Sequence, residues 1–207
     1  MIYQPREDSY LLEREVLKYS GGKKVLDMGS GSGTQAMAAL NSGAKEVIAV
    51  DIDSESIKEL KKKGIKENFD CCVNKKSKFS NRTICKKSNI TKQIVYKAIK
   101  SDLFDKVRRK FDLIIFNPPY LPEDELGDKE SRRATSGGKK GDEIILRFLK
   151  YANKFLEEKG IILMVISSLT PKKKINKMLK EKKLEKKVVS EEKLFFEKLE
   201  VWKIGKA

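Results

Sequence analysis

Four consecutive residues, Asn117-Pro118-Pro119-Tyr120, combine groups that could grip a planar NH2 donor. The two prolines remove two backbone donors and stiffen the turn, so the Asn117 side-chain oxygen and the Pro118 carbonyl can face one bound group as acceptors. A planar amide or exocyclic amine held this way presents its nitrogen to an electrophile, and Tyr120 is available to stack on its plane. The run follows an aliphatic stretch at residues 113–116, at the carboxyl edge of a strand, where open α/β sheets bind ligands. An Asn-Pro pair alone would be an ordinary turn closing a strand.

Upstream, Val25-Leu26-Asp27-Met28-Gly29-Ser30-Gly31-Ser32-Gly33 runs a strand into glycines at every second position, ahead of a helix over 34–40. Such glycines let a cofactor lie against bare backbone. The spacing is not the G-x-G-x-x-G of dinucleotide sites, because position 34 is threonine. The next strand ends at Asp51, about twenty residues beyond the turn, where an acid can take both ribose hydroxyls of a nucleoside cofactor. Asp51 also stands beside Asp53 and Ser54, where an acid favours a helix N-terminus. Together these features specify a nucleoside site and leave its identity open.

The chain has no histidine, which excludes histidine-dependent catalysis. Its three cysteines, Cys71, Cys72 and Cys85, are unevenly spaced and too few for a four-ligand zinc site, so no metal is expected. They read as thiols in a reducing compartment.

These residues need a sheet to bring them together. Five β-branched or aliphatic runs, at 25–28, 47–50, 95–99, 113–116 and 161–166, alternate with helical or irregular stretches, the pattern of a parallel sheet with crossovers. Helices are predicted over 10–18, capped by Asp8 or Ser9; over 54–66, capped by Ser54; over 142–158; and over 172–183. Two last strands, about 186–190 and 199–204, have no helix between them and should pair as a hairpin. The segment 71–101 carries nine Lys/Arg and no acid, and 71–92 reads as an exposed basic insertion, either a solvated loop or a docking surface. One domain spanning 1–207, with an N-terminal arm at 1–20, is expected from 207 residues.

With 39% hydrophobic and 37% charged residues the chain should fold rather than stay disordered. Its longest apolar stretch, about nine residues at 161–169, is too short to span a bilayer, so a cytoplasmic protein is expected. A net charge of +16 suits a nucleic acid or acidic partner, and equally suits lysine-rich composition with no such ligand.

The Asp-x-Gly-x-Gly-x-Gly turn at Asp27, Gly29, Gly31 and Gly33 resembles that of class I S-adenosylmethionine-dependent methyltransferases, and Asn-Pro-Pro-Tyr resembles the signature of their amino-methylating branch. Within it, Tyr3-Gln4-Pro5-Arg6-Glu7-Asp8-Ser9-Tyr10-Leu11-Leu12 is similar to the N-terminal signature of the HemK-related release-factor glutamine methyltransferases, in their short archaeal and eukaryotic form. The resemblance implies a three-layer Rossmann-like α/β fold with a seven-stranded, mostly parallel sheet whose last strand is antiparallel. It implies cofactor contacts from Tyr3, Pro5, Glu7, Asp8, Ser9, Asp27, Gly29, Gly31, Gly33, Asp51, Ile52, Ser101, Asp102, Leu103 and Asn117, with Asp102 meeting the adenine amine. Asn117, Pro118, Pro119 and Tyr120 are the implied catalytic residues.

The activity so implied is N5-methylation of the glutamine in the Gly-Gly-Gln loop of a class 1 translation termination factor, using S-adenosyl-L-methionine and yielding S-adenosyl-L-homocysteine. A small zinc-ribbon activator protein, forming a heterodimer, is the implied partner. Methylation of an adenine amine in DNA or RNA shares the same chemistry, although 207 residues leave no room for a separate target-recognition domain. A noncatalytic RNA-binding scaffold is a third reading, opposed by the intact Asp27, Gly29, Asp51, Asn117 and Tyr120.

Overall fold

The aliphatic runs become strands whose two faces are both covered, which is why they read as continuous rather than alternating. The computed structural model describes residues 4–70, 83–85, 92–121 and 137–206. Its strands are β1 (Lys24–Met28), β2 (Glu46–Asp51), β3 (Thr83–Cys85), β4 (Lys92–Lys100), β5 (Phe111–Phe116), β6 (Leu156–Ser167), β7 (Leu184–Lys193) and β8 (Lys198–Lys206). Its α-helices are α1 (Glu7–Tyr19), α2 (Thr34–Asn41), α3 (Ser54–Asp70), α4 (Glu143–Ala152) and α5 (Lys172–Glu181).

The sheet order is β3-β4-β2-β1-β5-β6-β8-β7. Strands β4, β2, β1, β5 and β6 are parallel, and β8 runs antiparallel between β6 and β7. Apart from the added edge strand β3, this is the expected seven-stranded sheet with its last strand reversed, closed by the β7–β8 hairpin. The chain steps outward from β1 through β2 to β4, then returns to β5 on the other side of β1. That reversal opens a crevice at the carboxyl ends of β1 and β5.

Alternation along each strand sends side chains to two cores. Val25, Val47, Leu113 and Val165 meet Leu12 and Val16 of α1, Ala36 and Ala39 of α2, and Leu60 of α3. Leu26, Ile48, Ile114 and Met164 meet Phe148 and Leu149 of α4 and Ile175 of α5 on the opposite face. Phe148 is fully buried and stacks between Phe104 and Phe116, which ties α4 to the end of β5. Burying one such side chain contributes roughly 1.5–3 kcal/mol.

Several boundaries differ from expectation. An eighth strand, β3, pairs antiparallel with β4 inside the segment read as an insertion; the remainder of 71–91 lies outside the described residues. The helix predicted over 142–158 stops at Ala152, passes through a 3-10 turn at Asn153–Phe155 and gives way to β6, because Leu156 pairs with Phe111 of β5. Helix α1 begins at Glu7, so Asp8 and Ser9 lie in its first turn and not at its cap, and Arg6 supplies no side-chain cap. For α3 the cap is Asp53 in place of Ser54: its Oδ2 accepts from the Ser56 N–H at 2.8 Å and from the Ser56 hydroxyl at 3.0 Å.

Candidate active site

The glycine turn leaves β1 in a conformation that L side chains rarely adopt, with φ of +64° at Gly29, +49° at Gly31 and +84° at Gly33. It is bonded to the end of β2 twice: Ser30 N–H donates to the Val50 carbonyl at 2.9 Å, and Gly31 N–H donates to Asp51 Oδ2 at 2.8 Å. Asp51 Oδ1 accepts from Asp53 N–H at 2.8 Å. One carboxylate therefore ties the turn after β1 to the start of α3. Burial pushes Asp51 above its ordinary pKa, while the N–H groups of Asp53 and Gly31 oppose the shift.

Asp27 sits beneath this turn. Burial pushes its carboxyl up to about 7, with hydrogen bonds from the Ser30 hydroxyl and the Ala36 N–H opposing and the nearby Asp51 charge adding to the rise. Gly33 has a packing role: a Cβ there would come within 2.7 Å of Leu60 Cδ2, so its bare backbone lets α3 close onto the turn.

At the end of β4, Ser101 N–H donates to the Asp51 carbonyl at 2.9 Å. The Ser101 hydroxyl accepts from Lys106 N–H at 2.9 Å and donates to the Leu103 carbonyl at 3.1 Å, holding Leu103 at a φ of +43°. Asp102 Oδ2 accepts from Arg147 of α4 at 2.8 Å.

At the end of β5, Asn117 Nδ2 donates to Asp8 Oδ2 at 3.0 Å and lies 3.4 Å from Ser9 Oγ. Asp8 and Ser9 are buried. Gln35 of α2 donates from Nε2 to the Ser9 carbonyl at 2.8 Å, fixing the first turn of α1 in place. Asn117 Oδ1 is buried and accepts no hydrogen bond. Beyond it, Gly137 N–H donates to the Leu121 carbonyl at 2.8 Å, and a Cβ on Gly137 would come within 2.6 Å of the Pro119 carbonyl.

These groups line one cleft of about 1000 Å³. Glu7, Asp8, Ser9, Asp27, Gly29, Gly31, Asp51, Ile52, Ser101, Asp102, Leu103, Asn117, Pro118, Pro119 and Tyr120 are on its wall. Gly33 and Pro5 are not, and Tyr3 lies outside the described residues. Gln35 and Arg147 also line the cleft and were not expected in it as site residues. The signal for Gln35 was a lone amide on the alanine-rich helix after the glycine turn; for Arg147 it was a cation one turn into α4. Among the described residues, no group of three or more His, Cys, Asp or Glu is placed to hold a metal, and no helix is long and apolar enough to cross a membrane.

The family described as Eco57I restriction-modification methylase matches residues 36–196, a span that includes Asp51 and Asn117. A protein of Methanocaldococcus jannaschii, named by inference as a protein N5-glutamine methyltransferase, is 37% identical over 180 residues, covering 86% of this chain and 78% of its own. The methyltransferase HEMK2 of Homo sapiens is 27% identical over 192 residues, covering 89% of this chain and 80% of its own. In fold, the chain is similar to a structure of the E. cuniculi Mtq2-Trm112 complex, responsible for methylation of the eRF1 translation termination factor. That match has a TM-score of 0.68 and 20% identity, and covers 100% of this chain and 99% of the other. The chain belongs to the HemK-related N5-glutamine methyltransferases, in their short archaeal and eukaryotic form, within the class I S-adenosylmethionine-dependent methyltransferases.

Proposed function

We propose that this chain moves a methyl group from S-adenosyl-L-methionine to the side-chain nitrogen of the glutamine in the Gly-Gly-Gln loop of a class 1 translation termination factor. The observation that carries this reading is the state of Asn117. Its nitrogen is engaged by Asp8 and its oxygen is buried and unbonded, in a residue that lines the cleft together with Gly29, Gly31 and Asp51. An acceptor left open in this way suits an amide NH2.

The residues present fit the cofactor. Asp51 spends one lone pair of each oxygen on an N–H and keeps the others for ribose hydroxyls. Gly29 and Gly31 offer backbone with no side chain in the way, and Ile52, 63% exposed beside Asp51, offers apolar surface to a base. Asp102 offers its carboxylate to the adenine amine, and Ser101 and Leu103 shape that end. Glu7, Asp8 and Ser9 close the cleft from the arm, with Tyr3 and Pro5 ahead of them in the signature. Gly33 acts from behind, through the packing of α3. When bound, S-adenosyl-L-methionine supplies a methyl group on a positively charged sulfur with a neutral leaving group.

The chain's own part is alignment. Asn117 Oδ1 and the Pro118 carbonyl accept the two amide hydrogens, Pro119 keeps the turn rigid, and Tyr120 packs on the amide plane. As the nitrogen takes the methyl group, positive charge grows on it and both acceptors hold its hydrogens more strongly, which favours the transition state over the ground state. One N–H proton then leaves to water. No histidine is needed, because the alkylated amide cation is itself a strong acid.

A small zinc-ribbon activator protein is part of the proposal, and its place of work is the cytoplasm. The charge of +16 and the match to a restriction-modification methylase description favour an adenine amine as the second reading. One assay separates the two: labelled methyl transfer, with and without the activator, to the termination factor, to its loop Gln→Ala variant and to bulk nucleic acid. Label on the wild-type factor alone is expected; label on nucleic acid alone would overturn the glutamine reading.

A further inference from the structure

The most exposed large apolar side chains among the described residues are Phe195 and Phe196, 92% and 85% exposed, at the tip of the β7–β8 hairpin. Single exposed apolar residues are ordinary, but these two form one surface, with ring centroids 4.6 Å apart and planes at 83°. The turn that carries them is pinned in place. Leu194 N–H donates to the Glu197 carbonyl at 2.8 Å, and Glu197 Oε2 accepts from the Ser167 hydroxyl at 2.5 Å. Lys198 N–H donates to Ser168 Oγ at 2.9 Å, and Ser168 N–H returns a bond to the Lys198 carbonyl at 2.8 Å. Leu194 and Glu197 line the same cleft as Asn117, so the two rings stand at its rim.

Charge decides what this rim can hold. Within a chain of +16, the hairpin end has Glu191, Glu192, Glu197 and Glu200 against Lys193 and Lys198. Arg14 reaches Glu192 at 3.8 Å, Lys172 reaches Glu200 at 2.9 Å and Lys198 reaches both Glu191 and Glu200, with Lys186 near Glu200, so acids offset most of the cations here. A phosphodiester backbone needs cations along its path, and those here are largely offset by neighbouring acids. A polypeptide loop with apolar side chains finds two aromatic anchors on a pinned turn, residues of the kind that dominate protein interfaces.

We propose that Phe195 and Phe196 form the docking surface for the substrate polypeptide, taking apolar side chains that flank the acceptor amide while the amide enters the cleft. The inference rests on the glutamine reading above and deepens it: the substrate is a folded protein loop gripped beside its target, not a nucleic acid.

The test uses the full chain, with its activator where turnover requires one, and compares wild type with Phe195→Ser/Phe196→Ser and with Phe195→Leu/Phe196→Leu. For the double Ser variant, KM for the termination factor should rise tenfold or more, with kcat and cofactor affinity within about twofold of wild type; the double Leu variant should recover most of the loss. Binding of the factor in the presence of S-adenosyl-L-homocysteine, read by fluorescence anisotropy, separates this inference from the reading it rests on. A factor that is methylated but binds wild type and the double Ser variant equally overturns the docking surface alone. A factor that is never methylated yet binds wild type tenfold tighter overturns the glutamine reading and leaves the surface standing. Loss of activator binding, of self-association or of RNA binding in the double Ser variant, with factor binding intact, would assign the rings to another occupant and overturn the proposal.

Discussion

Asn117 Nδ2 lies 3.0 Å from Asp8 Oδ2, a bond between residues 109 positions apart that joins the end of β5 to the first turn of α1. A carboxylate only accepts, so this contact decides which end of the Asn117 amide faces inward. With the nitrogen turned to Asp8, the oxygen is left buried and without a hydrogen-bond donor. Asp8 Oδ1 is held in turn by the Ser9 N–H at 2.6 Å, and Gln35 fixes Ser9 through its carbonyl. The order of the network thus runs from the folded arm to the acceptor.

If Asp8 acts by orienting that amide, Asp8→Ala should lower kcat about 10- to 100-fold, which corresponds to roughly 1.4–3 kcal/mol of barrier. Cofactor affinity should change far less. A double-mutant cycle provides the check: once Asn117 is Ala there is no amide to orient, so adding Asp8→Ala should cost little more. Equal losses in both backgrounds would make Asp8 a structural residue only.

Asn117→Ala removes the proposed acceptor itself. By analogy with a lost oxyanion donor, turnover should fall by at least about 100-fold, some 3 kcal/mol or more, while cofactor binding by calorimetry stays within about twofold. A variant that keeps near wild-type turnover would sink the acceptor mechanism.

The readability of these parts from sequence follows the range of the interactions involved. Residues 46–51 announce a strand because all six are buried, and the Asp27-to-Gly33 turn declares itself through local backbone demands. Asp8 could not be read as Asn117's partner, because only the packing of α1 on the sheet brings them together. The same holds for the end of α4: Phe155 and Leu156 keep helical spacing, and only pairing with Phe111 makes Leu156 a strand residue. Strand β3 is three residues among lysines, defined by its neighbour β4 and not by its own pattern. At α3, Asp53 and Ser54 are both good caps on composition, and the geometry of the Ser56 N–H selects Asp53.

Asp51 serves two structural bonds and, in the proposed reading, the ribose hydroxyls. Asp51→Ala should therefore weaken S-adenosyl-L-methionine binding by about 10- to 100-fold, the loss of charge-assisted hydrogen bonds worth about 1.5–3 kcal/mol. Because Gly31 N–H and Asp53 N–H lose their acceptor, the ligand-free protein should also melt earlier. Titration calorimetry and a thermal scan read the two effects separately; unchanged affinity would remove Asp51 from the cofactor site.

Stability should fall as pH rises through neutrality, and Asp27 is the reason. Burial holds its folded-state pKa at about 7, above the ordinary 3.8, so the folded protein keeps a proton that the unfolded chain releases. That contribution is fully present below the unfolded value and is lost as pH rises through the folded one. Asp51, also raised by burial, acts in the same direction. Glu200 acts oppositely: burial would raise it, but hydrogen bonds from Lys198, Trp202 and Lys172 hold it at about 2, so its contribution is lost only on acidification below its ordinary 4.5. Between about pH 5 and 7.5 the Asp27 effect should dominate, lowering stability by on the order of 3 kcal/mol. Asp27→Asn keeps the size and stays neutral, so it should flatten most of that slope. Urea midpoints measured across this range test both statements. A wild-type curve that is level or rising, or an Asn variant with the full slope, would show that Asp27 does not hold its proton in the folded state.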